Sequence, residues 1–330
     1  TPIYNFGGEI YTILSFIDGS ILGTYEEFVR EWCVDGDSKR LKDPDALGSY
    51  LRDQFVFLRR TRGEVNQERP PVNKIVHHVP SNPKSIANIE SLARQLAVRA
   101  LGGSFTERGQ ASRDLDMLLR QATGIGKAKS VAAYVSVLLD ADTPVILAGW
   151  HREVYRIWLE ELAAYNPLMY TGSETPAQKN ASKKAFLAGE SNLFIISLRS
   201  GAGLDDLQLR APTVVIGELD WSDKVHEQLI GRADRGDGDE VVDAIFLLSN
   251  EGSDPPMVEY LGLKANESRG VVDPGKALET VSRDDSGIRH LAKRFLETRG
   301  WLPAGGDQPR RDQDEAPEQG CLLPMESLEL

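Results

Sequence analysis

Arg232 and Arg235 stand three residues apart in the stretch HEQLIGRADRG, behind Gln228 and Gly231. Positions three apart on a helix share a face. Two forked guanidiniums on one face suit a charged, oxygen-rich ligand such as a triphosphate. Upstream lies IISLRSGAGLD, an apolar strand-like run that ends in a Gly-rich turn carrying Gly203 and Asp205. A single strand, TVVIGEL, with its turn Asp220-Trp221, lies between the two stretches. Taken alone, the arginines read as surface charges of an amphipathic helix. The order and spacing of the whole stretch single them out.

Other short matches fail on inspection. TGIGKAKS has Gln121 where the first Gly of a phosphate-binding loop belongs, and Ala128 where the magnesium-holding hydroxyl belongs. It reads instead as a helix start with Lys127 and Lys129 solvated. SGAGLDDL lacks the third Gly of a dinucleotide fingerprint, since Asp206 stands there. VVIGELD reads as a strand end that carries acids. His77, His78, His151, His226 and His290 form no metal spacing, and Cys33 and Cys321 form no CxxC pair. His226 reads as structural, Trp221 as a packing residue, and the aromatic helices at 9–32 as core.

The elements that must position these residues follow from apolar periodicity. Residues 84–102 and 111–140 have spacing near 3.6 and predict helices. From 144 onward short apolar runs at 144–149, 167–172, 193–198, 213–219 and 241–249 alternate with helices at 151–164, 175–188 and 222–233. That alternation predicts a parallel sheet in βαβ units. Two more helices are expected near 255–264 and 286–299. Residues 3–57 look helical and aromatic-rich. The Pro- and Arg-rich stretch after them reads as an extended crossing rather than an element.

Composition narrows the class. The chain has 330 residues, 41% apolar and 27% charged, and no apolar run approaching a membrane span. No signal peptide opens it, and the two distant cysteines fit a reducing, cytoplasmic setting. A net charge of −12 argues against coating nucleic acid by bulk charge, and leaves room for a local phosphate track.

The stretch as a whole resembles the second RecA-like lobe of superfamily-two helicases, specifically the Swi/Snf-related family in its distal, annealing-helicase-like branch. QLIGRADR resembles motif VI, Q-x-x-G-R-x-x-R, which implies that Arg232 and Arg235 are fingers on the ATP γ-phosphate, with Gln228 and Gly231 beside them. SLRSGAGLD resembles motif V. Gly203 and Asp205 would then face the nucleotide, while Ser197, Arg199 and Ser200 fall among residues that face DNA phosphates. PVILAGWHREV matches motif IV, and YTGSET matches the strand and turn whose Thr171 and Gly172 lie on the DNA path. FLRRTRGEV followed by RPPVNK resembles the connector between the lobes, where Arg59 and Arg60 would reach phosphate or lock the hinge. Thr1-Pro2 resembles the tail of motif III. The motif VI ending departs from the family, with Asp234 in place of His and the final Gln lost. No P-loop and no D-E-x-H acid box occur in the sequence.

The resemblance implies an α/β fold, a RecA-like parallel sheet flanked by helices, with an N-terminal helical segment and a disordered acidic tail. The expected divisions are 1–57, a helical remnant of the first lobe; 58–83, the connector; 84–250, the second lobe with a helical insertion; 251–300, C-terminal helices; and 301–330, the tail. It implies the C-terminal motor half of an ATP-dependent double-stranded DNA translocase, using ATP with magnesium held mainly by the first lobe. That lobe would precede Thr1 or come from another subunit, and this chain alone would not hydrolyse ATP. The rival readings are a non-catalytic DNA- or partner-binding module and one chain of a split motor. Guanidiniums that point away from the rim of the open α/β layer, or are locked in internal ion pairs, would end the motor reading.

Overall fold

The computed structural model describes residues 7–35, 37–58, 72–102, 104–199, 204–235, 241–261 and 287–301. The sheet that the apolar runs predict is present. It contains β3 (Asn73–His78), β4 (Val145–Gly149), β5 (Leu168–Tyr170), β6 (Leu193–Ser197), β7 (Thr213–Ile216) and β8 (Asp243–Leu248), in the spatial order β3-β8-β7-β4-β6-β5. All its pairs are parallel.

Strand alternation divides the core in two. Val145, Leu147, Leu193, Ile195, Val215, Ile245 and Leu247 face α6 (Phe105–Asp140) and α7 (Arg152–Glu161). Ile146, Ala148, Phe194, Ile196, Val214, Ile216, Ala244 and Leu248 face α8 (Pro176–Ala188) and α9 (Asp223–Ala233). Strands covered on both faces must be apolar throughout, which is why the runs were readable. Connections that step from β3 to β4 and from β4 to β5 cross the α6–α7 face. Those that step back, from β5 to β6, β7 and β8, cross the other, as a single crossover hand requires.

The 36-residue α6 starts at a capping box, with Ser104 and Glu107 bonding each other's backbone amides. Its first half packs Leu115 and Leu119 against α4 (Pro83–Ala87), α5 (Glu90–Gly102) and α11 (Gly287–Thr298). Its second half packs Val131 and Val135 under the sheet. One helix therefore joins both cores. A further helix, α10, occupies 254–261.

Three expectations need correction. Residues 73–78 fall in the stretch read as a crossing, yet they form edge strand β3, which pairs with β8 along its length. Only its inner edge and one face meet protein, so NKIVHH carries little of the apolar signal of a central strand. The N-terminal segment is not purely helical. Between α2 (Tyr25–Trp32) and α3 (Pro44–Asp53), an antiparallel hairpin joins β1 (Cys33–Val34) and β2 (Asp37–Leu41). These two helices, the hairpin and α1 (Ile10–Ile17) share a separate core of Ile10, Leu14, Phe28, Leu47 and Leu51. Residues 1–6 and 302–330, with the expected disordered tail, lie outside the described residues.

The third correction concerns TGIGKAKS, which is helix interior rather than helix start. Lys127 is 1% exposed, and its Nζ donates to Asp254 Oδ2 at 2.6 Å and to the Leu247 carbonyl at 2.8 Å. Asp254 also accepts the Ser249 N–H at 2.7 Å, and Thr123 Oγ1 accepts the Ser253 N–H at 2.9 Å. The turn after β8 is thus stapled to α6. Gly252 makes this possible: at φ +76, a Cβ there would lie 2.1 Å from Thr123 Oγ1. Lys129 is the solvated one, paired with Glu161 on the surface.

Removing one partner of a buried ion pair strands the other. Lys127→Ala is therefore expected to cost about 3–5 kcal/mol in urea unfolding, while Lys129→Ala leaves the midpoint where it is. Equal midpoints for the two variants would contradict the staple.

Candidate functional site

The turn after β6 and the end of α9 converge. Arg232 Nη1 lies 3.2 Å from Asp205 Oδ1 and donates to the Leu204 carbonyl at 3.1 Å. Arg235 Nη1 pairs with the same Asp205 oxygen. The shared helical face is not how they meet: α9 ends at Ala233, so Arg235 lies past the helix. Gln228 is half-buried on α9, and a Cβ on Gly231 would meet open space. Beside this group, Lys183 Nζ on α8 pairs with Asp206 Oδ2 at 2.9 Å. Asp206 adopts a left-handed conformation with φ +73, and Leu207 just after it is buried.

Both guanidiniums are thus held in an ion pair, which bears on whether they are available. Their partner is itself a residue of the candidate nucleotide site, and its side chain is 58% exposed. The Arg235 side chain is 41% exposed, and a pair this open to solvent contributes about 0–1 kcal/mol. Arg232 is held more closely, 16% exposed and bonded to the Leu204 carbonyl as well.

The described residues expected on DNA lie at the C-terminal ends of two neighbouring strands, β5 and β6. Ser197 closes β6 opposite Gly149 of β4, and Thr171-Gly172 follow β5. Arg199 is exposed, and its Nε and Nη2 hold Asp220 at 3.0 and 3.2 Å. Thr171 is 1% exposed, with both its N–H and Oγ1 bonded to Glu174, so its hydroxyl is spent internally. Gly172 beside it is open. Arg59, Arg60, Ser200 and Gly203 lie outside the described residues.

Two acids at the end of β7 organise this rim. Glu218 is buried, and its Oε2 accepts the Trp150 and His151 N–H groups at 2.6 and 3.0 Å. Its Oε1 lies 2.6 Å from His151 Nδ1. Burial pushes its carboxyl up, but the His151 hydrogen bond and charge, with the two amides, hold it below the usual range. Burial likewise pushes Asp220 up, and the bonds from Arg199 and the Ser222 N–H more than offset it. Gly149 and Gly217 leave room for the Trp158 ring, which would lie 2.6–2.7 Å from a Cβ at either position. From below, Arg120 donates to the Leu219 carbonyl, and the Trp221 indole N–H donates to Asp116. Trp221 also packs edge-on against Tyr260. Sequence reasoning noted the acids of VVIGELD but not what they bind; the signal was two carboxylates directly after a buried strand.

Chains leaving β4 go to one face of the sheet, and those leaving its neighbours β6 and β7 go to the other. Such a divergence opens a crevice at the C-terminal ends of the strands, where open α/β sheets bind ligands. Among the described residues, no group of three or more His, Cys, Asp or Glu side chains is arranged to hold a metal ion. No helix among them is long and apolar enough to cross a membrane.

No protein-family model and no curated protein sequence matches the chain. Among solved structures, it is similar to the SWI2/SNF2 ATPase core domain of Sulfolobus solfataricus, with a TM-score of 0.54 and 16% identity. The match covers 90% of this chain and 62% of that one, so this chain spans less than two thirds of the archaeal core. It is also similar to the C-terminal part of the Fun30 ATPase domain, with a TM-score of 0.49 and 13% identity over 71% of this chain and 99% of that one. The Sulfolobus core in complex with dsDNA gives 0.48 and 15%, over 81% and 64%. The first likeness establishes the fold, the RecA-like architecture found in a SWI2/SNF2 ATPase core; the two below 0.5 carry nothing further.

His226 supplies a pH test of the rim. Its Nε2 accepts the Asp220 N–H at 2.9 Å, and burial pushes its pKa down to about 4. A histidine neutral when folded takes a proton first in the unfolded chain. Its contribution is therefore complete above about pH 6.5 and is lost as pH falls toward about 4. From pH 7.5 to 5.5 this group is expected to remove on the order of 1 kcal/mol of stability. In His226→Gln, whose amide oxygen can accept the same N–H, urea unfolding is expected to lack that component. An equal pH slope in both proteins would contradict it.

Proposed function

We propose that the chain is the C-terminal motor half of an ATP-dependent double-stranded DNA translocase or helicase of Swi/Snf type. The observation that carries this reading is the meeting of Arg232 and Arg235 with Asp205. Two stretches that resemble consecutive motor motifs, separated by a strand, converge on one exposed carboxylate. The fold supports it.

In this reading a first lobe supplies the phosphate cradle, the acid that holds magnesium, and the group that orients water. This chain supplies charge. As negative charge develops on the transferring phosphoryl group, Arg232 and Arg235 leave Asp205 and neutralise it. Arginine fingers are typically worth about 10³–10⁵ in rate, or about 4–7 kcal/mol. Breaking the Arg235–Asp205 pair, which is open to solvent on both sides, costs about 0–1 kcal/mol. The exchange is affordable by a wide margin. Finger reach depends on the distance between lobes, which couples hydrolysis to opening and closing. Arg199, Gly172 and Ser197 meet the DNA backbone, with no reading of bases.

Binding to duplex DNA is expected to be independent of sequence and to weaken with salt. Arg199→Ala should lower the slope of log affinity against log salt by about one. An unchanged slope would remove Arg199 from the phosphate track. In the two-lobed protein, Arg232→Ala and Arg235→Ala should each lower DNA-stimulated ATP hydrolysis by about 10³–10⁵, with nucleotide binding largely kept. Unchanged turnover in both would end the finger assignment.

A second reading, a non-catalytic DNA- or partner-binding module, draws on the same pair: Asp205 serves as counter-ion to both arginines without any nucleotide. A two-lobed protein that binds DNA but never turns over ATP would favour it. ATPase regained on mixing this chain with a separate first lobe would instead indicate a split motor.

A further inference from the structure

Trp150 is the first residue after β4, at the crevice where chains diverge. It is 39% exposed. Phe16 and Met117, also exposed, sit on helix surfaces and need no special account. Trp150 differs because it is fixed from two sides. Its own N–H and that of His151 donate to buried Glu218. The guanidinium carbon of Arg199 lies 5.4 Å from its ring centroid, while the same guanidinium grips buried Asp220. Leu198 N–H donates to the Gly149 carbonyl at 2.9 Å, which keeps the two strand ends in register. The Trp150 backbone and the Arg199 guanidinium are each anchored on a buried carboxylate, so the indole and the charge are presented together to solvent.

An apolar partner would have to desolvate Arg199 to cover the ring. An unpaired nucleotide offers a π-face for the indole and a phosphate for the guanidinium in one unit. A continuous duplex hides its base faces and would leave the ring idle. We propose that Trp150, with Arg199, is a stacking platform for an unpaired nucleobase, so that the DNA engaged by this protein includes a single-stranded segment. The proposal rests on the DNA-motor reading above and adds the form of DNA that the rim accepts.

The test titrates the chain into a labelled oligothymidylate and, separately, a labelled blunt duplex, for wild type, Trp150→Ala, Trp150→Phe and Trp150→Leu. Stacking on an aromatic side chain is worth about 1–3 kcal/mol per base. Trp150→Ala and Trp150→Leu are thus expected to weaken oligothymidylate binding by about 5- to 150-fold. Trp150→Phe should stay within about threefold of wild type, and duplex affinity should change by less than about twofold. Trp150→Leu keeps apolar bulk without a π-face, so it gives the reading even if the alanine variant unfolds. Trp150→Leu binding oligothymidylate as wild type does, or losing single strand and duplex alike, would overturn the platform. Wild type that binds duplex but not oligothymidylate also overturns it and leaves the motor reading standing. Wild type that binds neither removes the motor reading itself.

Discussion

Two guanidiniums brought side by side repel each other, and an anion between them relieves that repulsion. Here the anion is Asp205, delivered by the turn after β6 to meet Arg232 at the end of α9 and Arg235 just past it. This requirement connects the fold to its proposed chemistry. A carboxylate open to water on one side is a weak holder. A terminal phosphate in a water-poor cleft is a strong one, because charge interactions grow as the dielectric falls. The same pair of arginines can then rest on one anion and act on another.

The rim opposite β4, β6 and β7 works by the contrary principle. Glu218 and Asp220 are buried and hydrogen-bonded at both oxygens, which favours keeping their partners. They spend their lone pairs fixing Trp150, His151 and Arg199 in place. The proposed motor would use both kinds of carboxylate: exposed ones that let go and buried ones that hold geometry. α6 contributes from below through Arg120 and Asp116, and locks the neighbouring turn with Lys127.

Much of the lobe was legible in the sequence, and the reasons are physical. Central parallel strands are buried on both faces, so the runs from Val145 to Leu248 stand out as short apolar blocks between helices. β3 and the β1–β2 hairpin did not stand out because each is partly exposed and carries polar side chains. Lys127 was misread because a lysine in a Gly-rich run shows nothing of Asp254, which reaches it only through the turn after β8. The convergence on Asp205 was foreshadowed by motif order, but its use as a shared counter-ion was not. The capture of Thr171 by Glu174 was not visible either, since it depends on the turn folding back on itself.

The most direct test of the account is the structure of the two-lobed protein with a non-hydrolysable ATP analogue and DNA. The account predicts that the Arg232 and Arg235 guanidiniums have left Asp205 and lie within hydrogen-bonding distance of the terminal phosphate. Both guanidiniums still on Asp205, with the lobes closed over the analogue, would contradict it.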